Sequence, residues 1–100
     1  MNDPKLVLAK IAELMKASRV TDELFACAAA FAAISVLVDQ LDCFFEENAP
    51  HAGENVSRLR WHSAAMLGYD ITNNHSSDQH YSWSLAALSG LEDAIRRLNK

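Results

Sequence analysis

The stretch "LFACAAAFAAISVLV", residues 24–38, is uncharged throughout and has one polar residue, Ser35. Six of its positions are alanine (Ala26, Ala28, Ala29, Ala30, Ala32 and Ala33), the strongest helix former, so the run predicts a helix. At about 1.5 Å per residue it is roughly 22 Å long, short of the bilayer core that about 20 apolar residues cross. The expectation is therefore a buried core helix rather than a membrane span. Leu24, Cys27, Phe31, Ile34, Val38, Leu41 and Phe45 continue an alternating 3-4 spacing, which is the heptad seam of a helix bundle. Thr21 is the expected cap, with Asp22 and Glu23 in the first turn opposing the helix dipole. The small residues beside the seam predict close neighbours on more than one flank.

Three further helices follow from the same rules. Asp3 as cap and Pro4 at the first helical position open one that ends near Ser18, with Leu8, Ile11 and Leu14/Met15 as its stripe. After the loop "ENAPHAG" (47–53), Val56, Leu59, Ser63 and Met66 mark a helix over about 55–67, and Gly68 is its terminator. The last helix carries Tyr81, Leu88, Leu91, Ile95 and Leu98, with Leu85 alongside and with acid-first pairs Glu92–Arg96 and Asp93–Arg97 outside. The fold class is all-α: a small antiparallel helical bundle of three to four helices in one domain, 1–100. Two long helices, about 22–47 and 77–99, are expected to form its core pair.

Composition narrows the function. The 100 residues are 50% hydrophobic and 22% charged, with 3 Gly and 2 Pro, as in an ordered helical protein. A net charge of −4 offers no footprint for nucleic acid or an anionic membrane. The first ten residues lack a basic stretch ahead of an apolar one, so the expected compartment is cytoplasmic. Cys27 and Cys43, on one helix, stand roughly 24 Å apart, beyond disulfide reach. Cys27 lies on the apolar stripe, and the carboxylates around Cys43 oppose a reactive thiolate. No G-x-S-x-G, glycine-rich phosphate loop or H-E-x-x-H occurs, so no enzyme activity and no cofactor are expected.

Two groups of residues remain as candidate sites. In "HSSDQH" (75–80), Ser76 and Gln79 form a capping box and Asp78 sits in the first turn, so the segment reads first as a helix start. That frame also sets His75 against His80 at the staple positions. With His62, and Asp70 or Asp78 nearby, it suggests a three-ligand metal site. His62 on a bundle helix also invites a phosphotransfer reading. Ala65 and Met66 stand where a Lys would support the phosphohistidine, which favours a boundary histidine instead. The second group is aromatic. Trp61, Trp83, Phe25 and Phe44 fall off the seams of their helices and are candidates for a partner interface.

The expected function is a non-enzymatic interaction module. It would be a small acidic helical regulator or inhibitor that binds another protein, itself a homodimer, with no nucleic-acid or membrane partner. The alternative is a metal- or ligand-binding helical protein using His62, His75 and His80. A weaker third is a nucleic-acid mimic presenting Asp39, Asp42, Glu46 and Glu47 to a basic groove.

Overall fold

The computed structural model describes residues 3–19, 23–69 and 75–98. Four α-helices run in order: α1 (Pro4–Ser18), α2 (Leu24–Asn48), α3 (Gly53–Met66) and α4 (Ser77–Leu98). A 3₁₀ turn, Pro50–Ala52, joins α2 to α3. No strand occurs among the described residues, and the all-α bundle expected from the sequence is what forms.

The ends of the helices show why they start and stop there. Asp3 accepts a hydrogen bond from Lys5 N–H at 2.9 Å, and Pro4 occupies the first helical position. Thr21 and Asp22 lie outside the described residues. The cap of α2 is Glu23, whose carboxylate accepts from Phe25 N–H and Ala26 N–H at 3.0 and 2.7 Å. Gly68 takes φ +91°, and the Tyr69 N–H reaches back to the Ala64 carbonyl at 3.0 Å, a Schellman ending for α3. Ser76 Oγ accepts from Gln79 N–H at 3.1 Å, as the capping box requires, and Ser77 Oγ donates to the Met66 carbonyl at 2.9 Å. The expected loop at 47–53 is tighter than its composition suggests, because Ala49 and Ala52 are buried in the core. At the far end Arg96 pairs with Asp93, one residue nearer in sequence than the expected Glu92.

Each helix is antiparallel to the next. The end of α1 lies beside the start of α2, where Leu14, Ala17, Ala26 and Ala30 line a groove between them. Phe31 of α2 stacks on Tyr69, just beyond α3, at 4.2 Å between ring centroids. At the same end Arg19, after α1, pairs with Asp78 at 2.9 Å and lies over the Tyr81 ring, tying α1 to α4. The helices therefore form an up-down-up-down bundle, each adjacent to its chain neighbours and α4 to α1.

This topology corrects the expected core pair. Both long helices supply the core (Ile34, Val38, Leu41 and Phe45 from α2, Leu88, Leu91 and Ile95 from α4), but they lie on a diagonal and barely touch. The most extensive pairing is α3 with α4. At their crossing Gly90 faces the side-chain amide of Asn55, which a Cβ there would push aside. The outer seam residues of α4 also move: Leu85 and Leu98 are exposed, and His80, Ser84 and Ala87 take the buried positions.

The larger correction concerns α2. Its lower seam is buried as expected, but the upper seam is not, because Leu24 is 74% exposed and Cys27 and Phe31 are half-buried. Only Ala30 carries the buried row upward from Ile34. α2 has 25 residues against 15 in α1 and 14 in α3, so its shorter neighbours cover one side of it. The most apolar 18-residue window of α2 is only 22% buried within the chain. The helix as a whole is long and apolar enough to cross a membrane by length and composition, unlike the 15-residue run taken alone.

Candidate functional site

Two features stand out, both in the half of the bundle where α2 begins, α3 ends and α4 begins. The first is a cluster of imidazoles and indoles between α3 and α4. His62, about one turn before Met66 in α3, is buried at 8% exposure, and His80, one turn into α4, at 1%. Their Nδ1 atoms lie 2.9 Å apart. A neutral imidazole has one N–H and one lone pair, so one ring donates and the other accepts, each in its own tautomer. Trp61 and Trp83 cover the His62 ring at 4.4 and 4.9 Å between centroids. His75 stands edge-on to His80 at 6.0 Å and to Trp83 at 4.9 Å.

Burial, together with the positive potential of His80, Arg58 and His75, holds His62 below the ordinary histidine range. His62 is therefore held toward its neutral form. Because His62 is buried, it is not the exposed histidine that phosphotransfer needs.

The structure thus brings His62, His75 and His80 together, as their candidacy for a metal site requires. Asp70 lies outside the described residues, and Asp78 turns away to Arg19. Among the described residues no three His, Cys, Asp or Glu side chains converge as a metal site would need. What the cluster does is physical: two buried polar rings hydrogen-bond to one another across the α3–α4 contact.

The second feature is the outer face of α2. Phe25 is 80% exposed and Val36 58%, and between them Ala29 and Ala32 are also open to solvent. These four follow a 4-3-4 spacing, half a turn of the helix away from the buried row Ala30–Ile34–Val38–Leu41–Phe45. α2 is apolar on two opposite faces. No charged side chain interrupts the outer one before Asp39, which pairs with Arg60 at 2.8 Å. Along one flank, a groove of about 430 Å³ between α2 and α3 is lined by Phe31, Ser35, Val38, Trp61 and Leu67 among others, and Trp61 is 50% exposed.

The four off-seam aromatics accordingly divide. Phe25 and Trp61 present themselves to solvent, while Trp83 is half-buried against the histidines and Phe44 packs edge-on to Phe45 at 5.1 Å beside the core. Val36, Ala29 and Ala32 were missed as surface residues. Their signal was present in the sequence: a second apolar row on a helix already supplied with a core-facing one.

Comparison with known proteins found no matching family model, no matching curated protein and no matching solved structure.

Proposed function

We propose that this protein is a non-enzymatic interaction module that docks another protein chain on the outer face of α2, acting as a small acidic regulator or inhibitor. One observation carries the reading: a helix with a core-facing row from Ala30 to Phe45 also holds Phe25, Ala29, Ala32 and Val36 in solvent. Scattered apolar residues such as Leu6, Leu85 and Leu98 are ordinary on a protein surface. A continuous uncharged row, with the Trp61-lined groove on the flank of the same helix, is the kind of patch that marks an interaction site.

The chemistry favours protein over lipid. α2 has no Lys or Arg, and its second half bears Asp39, Asp42, Glu46 and Glu47, carboxylates that an anionic membrane surface repels. To span a bilayer, α2 would have to leave α1 and α3 and give up the core around Val38 and Leu41. A cytoplasmic module is the setting we infer. A metal or ligand role for His62, His75 and His80 has less support, since two of the three rings are engaged with each other.

Ala29→Glu tests the proposal, because Ala29 lies at the centre of the outer face and away from the core. Immobilised native protein should retain a partner from extracts of the native host, and the folded Ala29→Glu protein should lose at least nine-tenths of it. Equal retention by both would rule the outer face out as the docking site.

A further inference from the structure

The outer face of α2 has a pattern that specifies its occupant. Resting on the interaction reading above, we propose that the occupant is a second copy of this chain. Two α2 helices would pair antiparallel about a two-fold axis midway between positions 30 and 31.

The row itself is the first support. A closed dimer needs a self-complementary patch, in which residue i meets j and j meets i. An axis at that midpoint sets Phe25 opposite Val36 and Ala29 opposite Ala32, on both sides of the contact. The bulky side chains fall at the two ends and the small ones at the centre, so the backbones approach closely where they cross and the ends close over the gap.

Charge fixes the direction. In this register the overlap runs from position 24 to 37, which is the uncharged part of the helix. Asp42, Glu46 and Glu47 of each copy extend beyond the end of the other α2. A parallel pairing would stack each of these carboxylates on its own counterpart, and like charges in contact are unfavourable. α2 carries no Lys or Arg to relieve them.

The available area fits a reversible dimer. On the row itself Phe25 and Val36, at 80 and 58% exposure, leave with Ala29 and Ala32 on the order of 400 Å² open per copy. Two copies would bury roughly 800 Å², the small size of weak, reversible contacts. The dimer should accordingly form only at high micromolar concentration or above and tolerate salt, since its contact is apolar.

Light scattering on the full chain across a concentration series should show monomer giving way to dimer. Ala29→Glu should remain monomeric with an unchanged helical circular dichroism spectrum. The register is tested in a Cys27→Ser/Cys43→Ser background under mild oxidation. Phe25→Cys with Val36→Cys on one chain should crosslink to a dimer, while Val36→Cys alone should stay uncrosslinked. Efficient crosslinking of the single variant would overturn the antiparallel register.

A native protein that is monomeric throughout, or that floats as a monomer with phosphatidylcholine vesicles, would overturn the second-copy inference. If such a monomer still retained a partner that Ala29→Glu lost, the docking face would stand with a different occupant. If neither property responded to Ala29→Glu, the wider interaction reading would fall as well.

Discussion

At the scale of single residues, the His62–His80 pair is the most unusual element of the interior. Its two rings hold one hydrogen between facing Nδ1 atoms, and full protonation would set two N–H donors head to head in a buried site. The His62 pKa is lowered by burial first, then by His80, Arg58 and His75. The unfolded chain, with an ordinary histidine near 6.5, therefore takes up the proton first as pH falls. Stability from this group is complete above that value and declines as pH drops through the lowered folded value. The melting temperature should fall as pH drops below about 6.5, and His62→Gln should flatten this part of the profile. A profile parallel to the native one would show that His62 does not carry the effect.

Ser84, fully buried in α4, gives a prediction of opposite sign. Its Oγ has no hydrogen-bond partner among the described residues, so Ser84→Ala should leave stability equal or raise it by up to about 1 kcal/mol in urea unfolding. At this scale the sequence was informative about identity and weak about environment. Ser76, Asp78 and Gln79 could be read as a helix start because capping is local chemistry, and the cap bond is there. That His62 would face His80 across eighteen positions depends on the α3–α4 crossing, which no local pattern encodes. The proximity of His75 to His80 could be read only because both belong to the same helix start.

At the scale of elements, helix ends were the most legible feature. Gly68 is the clearest case, as its φ of +91° is one that a side chain disfavours. Open space surrounds the position, so Gly68→Ala should cost about 1–2 kcal/mol from backbone strain alone, read as a lowered urea midpoint with unchanged slope. Seams were legible where the neighbouring helices exist to cover them. Val56, Leu59, Ser63 and Met66 are all buried, as are Ile34, Val38, Leu41 and Phe45. The same 3-4 rule failed above Ile34, where Leu24 continues the spacing but is exposed and Phe31, stacked on Tyr69, is only half-buried. Periodicity states which residues can share a face, but the lengths and placement of neighbours decide which face is buried.

At the scale of the whole molecule, short connections lead each helix back along its predecessor and place the two long ones on a diagonal. α2, about 37 Å long at 1.5 Å per residue, then runs most of the 41 Å long axis of the bundle, with one row in the core and the other outside. The bundle buries only one of the two apolar faces of α2, and the occupant of the other determines whether the chain acts alone or as a pair. The most direct test is the melting temperature over a hundredfold range of protein concentration, for native protein and Ala29→Glu side by side. If a second copy covers the face, mass action raises the melting temperature of the native chain with concentration and leaves that of Ala29→Glu unchanged. A native melting temperature independent of concentration, equal in its response to that of Ala29→Glu, would contradict it.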